Sequence, residues 1–193
     1  MKQCDALIIG GSAGSLDVLF HILPLINTDI TFAIIIVLHR RPGNDEILTR
    51  LLAFKTKLKV TEIEEKEKIE DGTIYIAPSD YHLLIEKDRT FSLDHSEKIN
   101  YSRPSIDVTF QSAAEVYKDK LACLLLSGSN IDGIEGLKKV KYFGGKVIIQ
   151  NPESAAMSFM PLQAELNVNV DKVLSVEMMA DYINGLSQTH NSL

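Results

Sequence analysis

Short apolar runs alternate along this chain with segments whose apolar residues recur at helical spacing. The runs at 6–9, 32–38 and 121–126 are continuously apolar, which is typical of strands covered on both faces of a parallel sheet. The first run is followed by one helical face made of Leu16, Leu19, Phe20 and Leu23. Alternation of this kind predicts an α/β fold with a doubly wound, mainly parallel sheet and helices on both faces.

One region departs from the alternation. Residues 73–78, 81–85 and 90–93 form three short apolar segments with only brief turns between them. Close spacing favours antiparallel neighbours, so we expect an antiparallel hairpin excursion near residues 73–94. A weaker strand is predicted at 58–63, and the charge run at 62–71 is interpreted as a solvated surface segment.

Several helix boundaries are marked by capping residues. Asn44 is suited to cap the helix that follows it, and Ser105 to cap a helix ending at Tyr117, with Asp107 in its first turn. A closing helix is expected to end near residue 186, before a polar tail at 187–193. We therefore expect a single domain over 1–193, with its core at about 5–186.

Composition narrows the function classes. Of the chain's 193 residues, 45% are hydrophobic and 24% are charged, as in an ordinary globular protein. The formal charge of −6 argues against nucleic-acid binding, which would need a basic face. No apolar run approaches the roughly 20 residues of a membrane span. The N-terminus lacks the features of a signal peptide, so we expect a cytoplasmic protein without membrane insertion. Cys4 and Cys123 adjoin predicted strands and are interpreted as buried thiols, without metal-ligand spacing.

The turn after the first strand carries the first candidate chemistry. Gly10-x-Ser12-x-Gly14 fits a nucleophile elbow, in which flanking glycines allow a sharp strand-to-helix turn. The helix N-terminus places partial positive charge beside the serine hydroxyl, which suits a developing oxyanion. By itself the motif equally fits a phosphate-binding turn or a simple tight connection.

Two more polar residues follow buried strands. His39 comes after the second strand, and Asp132 lies in the loop after the strand that ends at Leu126. Ligands of doubly wound sheets bind at the carboxyl ends of the strands, so Ser12, His39 and Asp132 are candidates for one catalytic triad. The remaining histidines are interpreted as structural or lie in the tail: His21, His82, His95 and His190.

At these positions the sequence resembles the CheB-type chemotaxis methylesterases. Ile-Gly-Gly-Ser-Ala-Gly-Ser at 9–15 and Leu-His-Arg at 38–40 are similar to two motifs of that family. Further matches occur in the same order at 75–78, 103–107, 126–128 with 132–133, and 160–161. The resemblance extends from Ala6 to about Leu186.

The resemblance implies roles for individual residues. Ser12 would be the nucleophile, His39 the general base and Asp132 the residue that orients it. Oxyanion donors would be the backbone at Ala13 and Ser129, and cations suited to an acidic substrate are Arg40, Arg41 and Arg103. The implied reaction is hydrolysis of glutamate γ-methyl esters on the cytoplasmic helices of methyl-accepting chemoreceptors. Glutamine deamidation is implied as well, and no cofactor or metal is expected.

Two features depart from the family pattern. Asn130 stands where the motif usually has glycine, and its tolerance of positive φ predicts an unchanged turn. The typical member also carries a receiver domain, whereas only five residues precede the strand at Ala6. We therefore expect activity without a phosphodonor, and control by expression, by a separate regulatory partner or by the state of the receptor.

Two other functions remain open at this stage. The glycine turn together with Arg40 and Arg41 could serve an NADP-type nucleotide-binding module, although the three-glycine spacing is incomplete and Asp132 would have no role. A non-catalytic scaffold that binds receptors would keep the fold without the chemistry.

Overall fold

The computed structural model describes residues 3–43 and 45–187. Asn44, predicted as a helix cap, and tail residues 188–193 lie outside this range. The strands are β1 Ala6–Gly11, β2 Ala33–Leu38, β3 Lys59–Glu62, β4 Thr73–Ile76, β5 His82–Ile85, β6 Phe91–Asp94, β7 Leu121–Leu125, β8 Lys146–Gln150 and β9 Lys172–Leu174. The α-helices are α1 Ser15–Ile22, α2 Asp45–Ala53, α3 Ile106–Tyr117, α4 Ile134–Tyr142, α5 Phe159–Asn167 and α6 Val176–Gly185.

Seven strands form one parallel sheet in the order β3-β4-β2-β1-β7-β8-β9. Its central strands are buried along their whole length. Such strands need apolar residues on both faces, which explains their continuous runs of Ile, Leu and Val. The predicted fold class is confirmed.

Two apolar clusters cover the two faces of the sheet. Leu7 and Ile9 point into one cluster, which includes buried residues of α1 and α6. Ile8 points into the other, which includes Phe110 of α3 and Leu137 of α4. Helices therefore lie on both faces, as predicted. Within the described residues, no helix is long and apolar enough to cross a membrane.

The antiparallel excursion is smaller than predicted. β4 pairs in parallel with β2 and β3 in the main sheet, whereas β5 and β6 form a separate antiparallel hairpin. Every residue of β4 is buried, which is the signature of a central parallel strand. The short connection from β4 to β5 suggested a hairpin, but the chain leaves the sheet there instead of turning back along β4.

The strand order reverses at β1. From β1 the chain first builds outward through β2 and later returns to place β7 on the other side. A crevice opens at such a switch point, beyond the carboxyl ends of the two strands. Ser12 follows β1 at this edge, so the topology brings the first candidate residue to the usual ligand-binding position.

Candidate active site

Ser12 lies in a tight turn between β1 and α1. Its backbone N–H donates to the Ser127 carbonyl oxygen at 2.9 Å and to Ser15 Oγ at 3.0 Å. Gly14 has φ 83°, a conformation that favours glycine. At Gly11 a Cβ atom would lie 2.2 Å from Ser15 Oγ, so only glycine fits. These glycines allow the turn that exposes the Ser12 side chain at the crevice.

A buried network of hydrogen bonds connects this turn to the residues that follow β7 and end β8. Ser15 Oγ donates to the Ser127 carbonyl oxygen at 2.7 Å, and Ser127 Oγ donates to the Ala13 carbonyl oxygen at 2.7 Å. Gln150 at the end of β8 accepts the N–H of Ser127 at 2.9 Å. Because Ser15, Ser127 and Gln150 are almost completely buried, their bonds rigidly couple the Ser12 turn to β7 and β8.

His39 and Asp132 are in direct contact. The backbone N–H of His39 donates to the Gly11 carbonyl oxygen at 3.0 Å, which continues the hydrogen bonding between β1 and β2 by one residue. His39 Nε2 lies 2.7 Å from Asp132 Oδ2, with side-chain exposures of 10% and 0%. A carboxylate only accepts hydrogen bonds, so Nε2 carries the proton and Nδ1 remains free to accept one.

The Asp132 carboxylate is seated on the N-terminus of α3. It accepts hydrogen bonds from the N–H groups of Ile106 at 2.6 Å and Asp107 at 3.1 Å, and from Ser105 Oγ at 2.8 Å. Burial alone would raise the Asp132 pKa. The hydrogen bond and charge of His39, with the two N–H groups, outweigh that effect and lower the pKa below its usual range. Asp132 therefore stays ionised and can hold the imidazole ring.

A second buried carboxyl lies beside Asp132. Asp107 accepts the N–H of Gly136 at 2.6 Å and Asn100 Nδ2 at 3.1 Å. Burial raises the pKa of Asp107 to about 7, the Gly136 N–H opposes that rise, and the negative charge of Asp132 adds to it. The proton of this acidic pair is therefore held by Asp107 and not by Asp132.

This raised pKa predicts a pH-dependent stability term. Between the ordinary aspartate value of 3.8 and about 7, the folded chain keeps a proton on Asp107 that the unfolded chain has lost. Stability contributed by this group therefore falls as pH rises through that window. The quantity to compare is the unfolding free energy of the wild type minus that of Asp107→Asn. This difference should fall by about 2–3 kcal/mol between about pH 5 and about pH 8. Urea unfolding of both proteins at the two pH values measures the difference, and a constant difference would contradict it.

Ser12 and His39 line the same cavity of about 310 Å³, which is bordered by Leu16, Leu38, Ile47, Leu48 and Leu51 among others. In the part of the chain that the structure describes, no hydrogen bond joins Ser12 Oγ to the imidazole. His39 Nδ1 lies instead 3.3 Å from Ser102 Oγ. Catalytic hydrogen bonds are often long or poorly aligned before substrate binds, so the arrangement is compatible with a resting triad.

The two predicted oxyanion donors border the Ser12 turn and the facing loop. Ala13 follows Ser12 directly, and Ser129 lies in the loop after β7, next to Gly128. A Cβ atom at Gly128 would lie 3.0 Å from Ser12 Cβ, so this loop passes close to the serine. Among the described residues, neither the Ala13 nor the Ser129 N–H donates a hydrogen bond, which leaves both available to a ligand.

A second cavity of about 280 Å³ adjoins His39 and is bordered by four cationic side chains and one acidic one: Arg40, Arg41, Lys98, Arg103 and Asp80. Arg103 donates to Asp80 Oδ1 from Nε and Nη2, at 3.1 and 2.7 Å, and to two carbonyl oxygens. Arg103 thus joins its own loop to the connection between β4 and β5, and its contact with substrate stays a prediction. Arg40 donates to the Ala77 carbonyl oxygen at 2.7 Å, and Arg41 is exposed at the rim.

Residues outside the predicted triad support it. His82 accepts the Ser105 N–H at Nδ1, at 3.1 Å, and its Nε2 donates to the Glu97 carbonyl oxygen at 2.9 Å. His82 therefore has the structural role that the sequence indicated: it holds Ser105, the residue that caps α3. The sequence motif at 103–107 pointed to this segment, but nothing in it indicated contact with Asp132.

Asn130 does more than occupy a turn position. It is not among the residues with positive φ, so its tolerance of that conformation is not used. Its Oδ1 accepts the Asp132 N–H at 3.1 Å, and its Nδ2 donates to the Asn100 carbonyl oxygen at 2.7 Å. The side chain therefore connects the Asp132 loop to the segment before α3.

The described residues contain no group of three or more His, Cys, Asp or Glu side chains that could hold a metal ion. Cys4 and Cys123 are free and buried, and burial raises the pKa of Cys4 to about 12. These thiols therefore stay protonated in the core.

Comparison with known proteins identifies the family. The model of the CheB methylesterase family matches residues 7–183. A putative protein-glutamate methylesterase/protein-glutamine glutaminase of Leptospira interrogans is 45% identical over 186 residues, which cover 96% of both chains. A protein-glutamate methylesterase/protein-glutamine glutaminase of Thermotoga maritima is 37% identical over 80% of this chain and 46% of its own length.

The structural match agrees with the sequence matches. The crystal structure of the Thermotoga maritima CheB methylesterase catalytic domain superposes with a TM-score of 0.91 at 34% identity, covering 95% of this chain and 98% of that one. These matches support the hydrolase interpretation and not the nucleotide-binding alternative. The chain belongs to the CheB methylesterase family.

Proposed function

We propose that this protein hydrolyses γ-methyl esters of glutamate on chemoreceptor helices, with Ser12 as nucleophile, His39 as general base and Asp132 as its orienting partner. Family membership supports the reaction class. The observation that carries the residue assignment is the 2.7 Å contact between His39 Nε2 and Asp132, beside a cavity that also contains Ser12.

The first half-reaction forms an acyl-enzyme. Ser12 Oγ attacks the ester carbonyl carbon while its proton moves to His39 Nδ1, the ring nitrogen that faces away from Asp132. The carbonyl oxygen becomes an oxyanion, for which the N–H groups of Ala13 and Ser129 are the available donors. Collapse breaks the bond to the methoxy group, which takes the proton from His39 and leaves as methanol.

The second half-reaction regenerates the serine. Water gives a proton to His39 and attacks the glutamyl ester on Ser12. Collapse returns the proton to Ser12 Oγ and releases glutamate. The same steps with an amide leaving group would convert receptor glutamine to glutamate and ammonia. Neither half-reaction uses a metal or an organic cofactor.

Recognition of an acidic receptor helix requires local positive charge, because the chain carries a formal charge of −6. The cavity beside His39 supplies it through Arg40, Arg41 and Lys98, while Arg103 is tied to Asp80. Arg41 and Lys98 are both exposed at this rim and are therefore the cations best placed to meet an approaching carboxylate. We assign substrate contact first to these two side chains.

The test is methanol release from chemoreceptor-containing membranes whose receptors carry labelled methyl esters. The pure protein should release labelled methanol in proportion to its concentration, and receptor peptides should gain free glutamate. Methanol at the level of a no-enzyme control would reject the esterase assignment.

A further inference from the structure

The nitrogen of His39 that must receive the Ser12 proton already has a partner. Asp132 engages Nε2, which leaves Nδ1 as the proton-accepting atom. At Nδ1 the structure places Ser102 Oγ, at 3.3 Å. Within the described residues, Ser12 Oγ makes no hydrogen bond to this ring. The hydroxyl at the proton-accepting nitrogen of His39 is therefore that of Ser102 and not that of the nucleophile Ser12.

The direction of this hydrogen bond follows from the available protons. Neutral His39 carries its proton on Nε2, so Nδ1 accepts and Ser102 donates. Asn130 Nδ2 donates to Ser102 Oγ at 3.2 Å, which fills one acceptor position of the hydroxyl and leaves its proton free. The other acceptor within reach is the Asn100 carbonyl oxygen at 3.4 Å, which already accepts from Asn130 at 2.7 Å.

The position of Ser102 is fixed by the turn that carries it. Ile99 and Ser102 exchange two backbone hydrogen bonds, at 3.2 and 2.9 Å, across Asn100 and Tyr101. These two central residues have φ 49° and 61°, as a tight two-residue hairpin turn requires. Asn130 ties this turn to the Asp132 loop. Ser102 is thus held at Nδ1 from two sides.

We propose that Ser102, held by Asn130, is a positioning residue that occupies His39 Nδ1 in the resting enzyme and competes there with Ser12. This inference rests on the proposed function, because it concerns the base of that reaction. Before Ser12 can lose its proton, the hydrogen bond from Ser102 to Nδ1 must break and one from Ser12 must form. No covalent bond changes in this exchange, and the Ser102 proton turns to the Asn100 carbonyl oxygen or to water.

Competition and support predict opposite effects of removing the hydroxyl. If Ser102 only supported the ring, Ser102→Ala would slow the reaction. Because it competes, Ser102→Ala should raise kcat for methanol release by about threefold to tenfold, the equivalent of one net hydrogen bond. KM should stay unchanged, since the exchange occurs within the bound complex.

A second variant weakens the same hydrogen bond without changing Asn130, which also supports the Asp132 loop. Ser102→Cys replaces the hydroxyl by a thiol, which is only a weak donor, so it should raise kcat in the same direction by a smaller factor. Ser96→Ala is the matched control, because Ser96 lies in the same loop and its hydroxyl donates to Asp94, at 2.6 Å, and to no other described residue. This control should leave kcat unchanged.

The outcomes separate this inference from the proposed function. Wild-type protein that releases no methanol would reject the function and this inference together. Active wild type with an unchanged or lower kcat in Ser102→Ala would overturn the competition alone. Thermal unfolding of each variant shows whether it is folded, and if Ser102→Ala is not, the direction of the Ser102→Cys effect decides.

Discussion

Ser12→Ala is expected to lower kcat for methanol release by at least about 10³-fold, the scale of loss when a nucleophile is removed. Without the Ser12 hydroxyl no acyl-enzyme can form, and the remaining contacts only position the ester for attack by water. The fold should be unaffected, because the turn is held through the Ser12 backbone N–H and not through its side chain. Initial rates on methylated receptor membranes measure the loss.

Ser154→Ala is the matched control for this variant. Ser154 is exposed, and in the part of the chain that the structure describes its hydroxyl donates to the nearby Asn151 carbonyl oxygen alone, at 3.0 Å. The control should release methanol at the wild-type rate. Activity of Ser12→Ala within about tenfold of the wild type would exclude the serine mechanism.

Asp132→Asn should affect both stability and rate. In either orientation of the new amide, its NH₂ group replaces an oxygen that now accepts a backbone N–H, from Ile106 at 2.6 Å or from Asp107 at 3.1 Å. Leaving a buried donor without its acceptor costs about 1–3 kcal/mol, so unfolding free energy should fall by about that amount. The rate should fall less than in Ser12→Ala, because the nucleophile and the oxyanion donors remain.

Urea unfolding and initial rates of methanol release measure the two effects of Asp132→Asn. Asp181→Asn, on an exposed position of α6, is the control and should change neither quantity. Unchanged stability in Asp132→Asn would contradict the described role of the α3 N-terminus.

The sequence indicated the fold well wherever a strand is buried on both faces. β1, β2 and β7 were recognisable from apolar runs alone, because central parallel strands have no polar face. β4 has the same property, yet its short distance from β5 suggested a hairpin. Strand partners depend on long-range packing, which local spacing does not encode. The extent of the domain beyond the matched residues stays a prediction.

The candidate site was predictable only in part. Ser12, His39 and Asp132 each follow a buried strand, so the fold class was enough to place them at one edge of the sheet. The residues around them were not predictable in this way. Ser102 reaches His39 across 63 positions, and Ser105 reaches Asp132 across 27. Such contacts depend on how loops pack against each other. A single sequence shows no local pattern that would predict this packing.

The catalytic roles themselves are most directly tested by a double-mutant cycle. Methanol release would be measured for the wild type, Ser12→Ala, His39→Gln and the protein with both changes, each checked by thermal unfolding. Because every proton that His39 transfers belongs to the acyl-enzyme route through Ser12, the double variant should be no slower than the slower single variant. Losses that multiply in the double variant, or near-wild-type activity of either single variant, would contradict a Ser12–His39 catalytic unit.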